Sequence, residues 1–283
     1  MSKIKEGDIV ARKSHGKDVI FVVKRIIRTS RGEIVILNGA IERIEADAPI
    51  DDLEKLDRKV IHTILKNIDE KIERHVAQST KQNYKVGILL NENRIINTSI
   101  KAKASILHLD GDKRYAEKSS RYYKKMGLQA VVKNVPENKQ PQVVYNLLKV
   151  YKPDILVITG HDGMIKKQSG YSDIYNYRNS KYFIETVKEA RKYDEEYKRD
   201  LVIFAGACQS FFEALILAGA NFASSPARIL IDFLDPLIVA KEVAITDRNK
   251  LVTSDGFEMK LRDGKKGIDG IGAKGKKVWE SKS

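Results

Sequence analysis

Hydrophobic and polar positions fall into a regular rhythm from Ala104 onward. Residues 105–109 form a short apolar run, and a polar segment of helical character at 112–126 follows, stopped by Gly127, a C-terminal helix signal. A second run occupies 128–132. Residues 140–151 carry Val143, Leu147 and Val150 at helical spacing and end before Pro153. Residues 155–159 and 201–205 are apolar throughout, as strands buried on both faces must be. Between them, 181–198 reads as an amphipathic helix with Phe183, Ile184 and Val187 on one side. Residues 210–217 predict a short apolar helix ended by Gly219, and 221–224 a fifth strand. Alternating strands and helices predict an α/β fold with a doubly wound, mostly parallel sheet.

The N-terminal pattern is different. Apolar runs at 8–11, 19–27 and 33–37 are separated by Ser14-His15-Gly16 and Ser30-Arg31-Gly32. Short strands with glycine turns predict a small β-barrel of SH3-like kind over 1–50. Leu56, Val60, Ile64 and Ile68 are in helical phase, so 51–103 is expected to be a connecting helix and linker, with a further short strand at 86–90. The α/β domain is expected over 104–250. From 251 to 283 a flexible basic tail is expected: eight Lys/Arg stand against three acids between Lys260 and Ser283, with glycines interspersed.

Composition narrows the function classes. The formal net charge is +14, which favours anionic partners without identifying one. No apolar run approaches the roughly 18 residues that span a bilayer, and the first ten residues lack a signal-peptide core. The expectation is a cytoplasmic protein with no membrane partner. Cys208 is the single cysteine, which excludes an internal disulfide and a thiolate zinc site. No His has a partner at metal-ligand spacing, and no P-loop or GxGxxG occurs, so neither metal nor cofactor is expected.

A lone cysteine is ordinarily a small buried hydrophobe. Its position gives Cys208 another reading. The 155–159 strand ends in Thr159-Gly160-His161-Asp162-Gly163, and the 201–205 strand in Gly206-Ala207-Cys208-Gln209-Ser210. In an open parallel sheet both tips lie on the carboxyl edge, where functional groups collect. Neighbouring strands are about 4.8 Å apart, so His161 and Cys208 can face each other. Cys208 is read as a nucleophile before a helix N-terminus that favours its thiolate, and His161 as its base. Backbone N–H groups at Cys208 and in the turn of Asp162 and Gly163 are candidates for an oxyanion hole.

Strand, His, spacer, strand and Ala-Cys together resemble caspase-like peptidases, whose signature sets His about 50 residues before the Cys. More closely, the segments at 159–163 and 205–210, the 104–134 opening and Gly7-Asp8-Ile9-Val10 resemble the YabG family of sporulation-specific peptidases of spore-forming Firmicutes. The resemblance implies a caspase-like cysteine endopeptidase of the mother cell, associated with the forming spore coat. It implies substrates among coat and cortex-associated proteins, a cut after basic residues, especially Arg, and room for self-processing; nucleic acid is not an expected partner. The chain departs from the caspase pattern at Asp162, where caspases carry Gly, and at Gly206, where some relatives carry a specificity side chain.

A pocket for Arg needs a carboxylate. Asp110, leaving the first strand of the α/β domain at the same sheet edge, is the first candidate, with Asp232 and Asp235 as rivals. Asp112 is read as a helix N-cap, and His108 as a core histidine. Two other functions compete. A nucleic-acid-binding regulator would use the charge and the barrel but gives no reason for the His/Cys pair. A small-substrate α/β thiol hydrolase would use the pair but leaves the barrel and tail idle.

Overall fold

The computed structural model describes residues 3–30, 32–89, 104–165 and 170–277. The linker reading over 90–103 and the last residues of the expected tail lie outside them.

The N-terminal segment forms a five-stranded antiparallel sheet from β1 (Ile9–Arg12), β2 (Phe21–Thr29), β3 (Gly32–Gly39), β4 (Glu45–Pro49) and β5 (Leu53–Lys55), in the order β4-β3-β2-β1-β5. Period-two alternation decides which face is buried: Phe21 and Val23, Val35 and Leu37, Ala46 and Ala48 all point into one small core. The helix α1 (Arg58–Leu89) follows. It absorbs residues 86–89, where the sequence suggested a strand.

The second sheet carries the site. It contains β6 (Ser105–Asp110), β7 (Gln129–Asn134), β8 (Ile155–Thr159), β9 (Val202–Ala205), β10 (Phe222–Ser224) and β12 (Ile268–Gly270), in the order β12-β10-β9-β8-β6-β7. All pairings are parallel except that of β12 with β10. Successive side chains face opposite sides, so Ile106 and Val157 enter one core while Leu107 and Leu156 enter the other. The first core is closed by α2 (Lys113–Lys125) through Tyr122 and Tyr123, and by α6 (Asp235–Ile245) through Leu237 and Val243. The second is closed by α3 (Gln140–Tyr151), α4 (Ser180–Tyr197) and α5 (Phe212–Leu217), through Leu148, Phe183 and Leu215. The chain steps outward from β6 to β7, then crosses to β8, β9 and β10 on the other side. Strand order therefore reverses between β6 and β8, and a crevice opens at their carboxyl ends.

The expectation of a flexible tail from residue 251 is corrected. A small pair, β11 (Leu251–Val252) and β13 (Ala273–Lys274), and the edge strand β12 fold this segment onto the main sheet. Val252, Phe257, Leu261, Ile268 and Ala273 join the first core. The basic residues that suggested a tail lie between these apolar anchors. No helix of the described residues is long and apolar enough to cross a membrane.

Candidate active site

Three strand exits meet at the crevice. β6 leads into Asp110-Gly111-Asp112, β8 into Gly160-His161-Asp162, and β9 into Gly206-Ala207-Cys208. Their registers align, with Asp110 beside Thr159 and Ile158 beside Ala205. Gly206 turns the chain at φ +115°, and a Cβ there would lie 2.5 Å from Ser224 Oγ, so only glycine makes this exit.

Asp162 ties two of the exits together. Its carboxylate accepts N–H groups of Gly163 (2.9 Å) and Asn179 (2.8 Å), and hydroxyls of Ser180 and Ser210 (2.8 Å for Ser210). Ser210 Oγ in turn accepts the Ala207 N–H at 2.9 Å. The residue read as a turn residue is thus a clamp between the histidine loop and the cysteine loop. Since the Gly163 N–H is spent on Asp162, the candidate oxyanion donor in that turn is the Asp162 N–H.

His161 is buried. Its backbone N–H donates to Glu137 Oε1 at 2.8 Å, and its Nδ1 lies 4.0 Å from the same oxygen. Its Nε2 lies 3.8 Å from Asp112 Oδ2 and has no hydrogen-bond partner among the described residues. Tyr115 meets the ring edge-on, centroids 5.6 Å apart. Burial pulls the imidazole down to about 4 against the opposing pull of Asp112 and Asp110, so the ring is neutral near pH 7. Asp112 also caps α2, accepting the Arg114 N–H at 2.7 Å, as the sequence indicated.

Cys208 is also buried, and its Sγ accepts the Ile231 N–H at 3.4 Å. Burial pushes the thiol up to about 12. This corrects the expectation of a thiolate held by a helix N-terminus. The helix α5 begins only at Phe212 and has six residues, so its dipole does not act on Sγ. Thiol and imidazole are both neutral here.

Asp110 is paired. Its Oδ2 receives a guanidinium N–H of Arg43 at 2.7 Å and the Thr159 hydroxyl at 2.9 Å; its Oδ1 receives the Asp112 N–H at 2.9 Å. Burial would raise its carboxyl, but the Arg43 cation and these donors hold it below the usual range. Arg43 comes from the N-terminal sheet, between β3 and β4, and is 1% exposed. Its other terminal nitrogen donates to the Phe233 carbonyl at 3.2 Å, and its guanidinium lies over the rings of Tyr115 (4.7 Å) and Phe233 (5.1 Å). The Arg43 carbonyl accepts two N–H groups, from Asp162 at 3.2 Å and from Cys208 at 3.3 Å. Ile44 bridges to Asp162 in parallel fashion, and the Glu45 N–H donates to the Asp162 carbonyl at 2.8 Å.

The rivals to Asp110 are engaged elsewhere. Asp232 Oδ1 accepts the Leu234 N–H at 2.8 Å, and Asp235 accepts the N–H groups of Asp232 (3.0 Å) and Arg262 (3.2 Å). Both organise the first turn of α6 and neither touches Arg43. His108 is a satisfied core histidine, with Thr159 Oγ1 at 2.6 Å and the Tyr123 hydroxyl at 3.2 Å from its ring nitrogens.

Sequence reasoning did not find Arg43, Glu137, Tyr115 or Phe233. Glu137 had a usable signal: Gly111 and Gly160 both stand where a Cβ would run into its carboxylate, at 2.1 and 2.5 Å, and glycines at two neighbouring strand exits indicate a shared neighbour. Arg43 carried none.

Comparison with known proteins agrees over nearly the whole chain. A family model described as YabG peptidase U57 matches residues 5–281. The sporulation-specific protease YabG of Bacillus subtilis (strain 168) is 39% identical over 280 residues, covering 95% of this chain and 94% of that protein. No solved structure matches.

Proposed function

The chain belongs to the YabG peptidase U57 family, and from that premise we propose that it is a cysteine endopeptidase that cuts after Arg, with Cys208 as nucleophile and His161 as general base and acid. One observation carries the reading. The carbonyl oxygen of a buried arginine accepts the N–H of Cys208 and the N–H beside His161, while its guanidinium reaches Asp110. Two N–H donors on one carbonyl oxygen, next to a thiol and an unpartnered imidazole nitrogen, are what acyl transfer requires.

The chemistry follows from neutral partners. Cys208 Sγ attacks the carbonyl carbon of the arginine as its proton passes to His161 Nε2. The negative charge on oxygen is held by the N–H groups of Cys208 and Asp162. His161 then gives its proton to the leaving amine, and later takes one from the water that hydrolyses the thioester. Asp112, near Nε2, favours the charged form of the imidazole as the proton arrives, and Glu137 fixes the histidine loop by accepting the His161 backbone N–H. Asp110, Tyr115 and Phe233 form the specificity pocket, a carboxylate at the base of two aromatic faces.

The same reading takes the α/β unit as caspase-like and residues 1–50 as an SH3-like barrel. It places the enzyme in the mother cell at the forming spore coat, with coat and cortex-associated proteins as substrates. The name of the Bacillus relative supports a protease of sporulation; the location, the substrates and the two fold types rest on the resemblance of the motifs.

The test is peptide hydrolysis by the purified full chain. Peptides with Arg before the cut should be cleaved, Lys peptides more slowly because an ammonium cannot reach both acceptors, and neutral ones not at all. Cys208→Ala and His161→Ala should each lower kcat by on the order of 10⁴-fold. Asp110→Asn should lower kcat/KM for Arg peptides by about 10²-fold while leaving alkylation of Cys208 by a small thiol reagent unchanged. Full activity in Cys208→Ala would end the mechanism.

A further inference from the structure

The amino edge of the main sheet, opposite the cleft, carries a charge pattern that the chemistry does not use. Three connections converge there, from α3 to β8, from α4 to β9 and from α6 to β11, together with β13 and the residues after it. They enclose a hollow of about 290 Å³ lined by Arg199, Arg248, Lys274 and Lys276, with Asp154 and Asp200 among them. Lys152 and Lys250 border it: the Lys152 carbonyl accepts a guanidinium N–H of Arg199 at 3.0 Å, and the Lys250 carbonyl accepts the Gly275 N–H at 3.0 Å. Lys276 is buried, and its ammonium is fixed on the Asp200 carboxylate at 2.7 Å. Arg248 lies 3.9 Å from one oxygen of Asp154, whose other oxygen accepts the Ser105 N–H and hydroxyl. Both aspartates are thus engaged, whereas Lys152, Arg199, Lys250 and Lys274 enter no ion pair among the described residues.

Helix ends account for Lys152 and Arg199, which follow the carboxyl termini of α3 and α4. They do not account for Lys250 and Lys274, which come together because β11 and β13 pair. Folding gathers like charges here against their mutual repulsion, and an anion lying across them relieves it. From this we propose that the amino edge docks an acidic segment of a partner protein. Asp154 and Asp200 favour polypeptide over nucleic acid: a strand charged at every phosphate would meet them, while a polypeptide sets neutral residues there and its carboxylates on Arg199, Arg248 and Lys274. The hollow opens just before β8 and the cleft just after it; with five residues in that strand, at about 3.3 Å each, a docked partner leaves the cleft open.

The test is fluorescence anisotropy of the full-length chain with a labelled peptide of alternating Glu and Ser, and with single-stranded DNA of equal charge. Wild type should bind the peptide more tightly than the DNA, and its affinity should fall on the order of ten-fold between about 50 and about 300 mM salt. Arg248→Glu/Lys250→Glu/Lys274→Glu should bind the peptide about ten-fold more weakly or worse, and Lys274→Glu alone about three-fold more weakly. The same charge change elsewhere, in Lys13→Glu/Arg25→Glu/Lys188→Glu, should cost less than about three-fold. All six positions are exposed, and circular dichroism melts check that the variants fold; where the first triple variant does not, Lys274→Glu decides. No binding by wild type, equal losses in the two triple variants, unchanged affinity in Lys274→Glu, or tighter binding of the DNA would each overturn the inference. The measurement needs no hydrolysis, so its outcome is independent of the peptidase reading.

Discussion

Burial sets the protonation of the groups around the cleft, and Asp235 gives the clearest pH consequence. It is buried at the start of α6, and burial, with Asp232 beside it, pushes its carboxyl up to about 7 from 3.8. Between those values the folded chain keeps a proton that the unfolded chain has released, so the contribution of Asp235 to stability falls as pH rises. Asp235→Asn removes that dependence. In the Cys208→Ala background, urea titrations at several pH values between 4 and 7 should show variant stability gaining on its parent with rising pH. The gain should approach about 1.4 kcal/mol per pH unit. A constant difference would mean that Asp235 is ionised in the folded chain. At this scale the sequence was informative where chemistry and position coincide. Cys208 and His161 follow apolar strands, and Asp110 leaves a third. Arg43 is invisible for the opposite reason: its partners lie 67 residues or more away, and no local pattern announces such a contact.

At the scale of elements, strands β6, β8 and β9 were legible because they are buried on both faces and bounded by polar helices. The segment from Leu251 was not. Its strands have two or three residues, too short for periodicity to register, and its lysines outweigh its anchors in composition. The anchors decide its role. Val252, Phe257, Leu261, Ile268 and Ala273 are all buried in the core under α6; at roughly 1.5–3 kcal/mol for a large apolar side chain, their sum is on the order of 10 kcal/mol. That is comparable to the whole stability of a typical domain, about 5–15 kcal/mol. A Cys208→Ala chain ending at Lys250 should therefore show no cooperative thermal transition by circular dichroism, where the full-length Cys208→Ala chain does. A retained transition would return the segment to the status of a dispensable tail.

For the whole molecule, the N-terminal sheet supplies a wall of the cleft. Cys208 packs in the same core as Val10, Phe21, Leu37 and Ile44, so the proposed nucleophile is held against the N-terminal sheet. The +14 charge needs no nucleic-acid partner in this account, and a nucleic-acid-binding reading gives no reason for His161 and Cys208 to stand at neighbouring strand exits. The central claim is that Cys208 attacks a carbonyl whose arginine side chain rests on Asp110. Covalent capture tests it most directly: the purified full-length enzyme is incubated with an arginyl peptide chloromethyl ketone, and the adduct is located by peptide mass spectrometry. The account predicts complete inactivation with a single adduct on Cys208, formed about 10²-fold more slowly in Asp110→Asn. Inactivation with the adduct on another residue and Cys208 unmodified would contradict it.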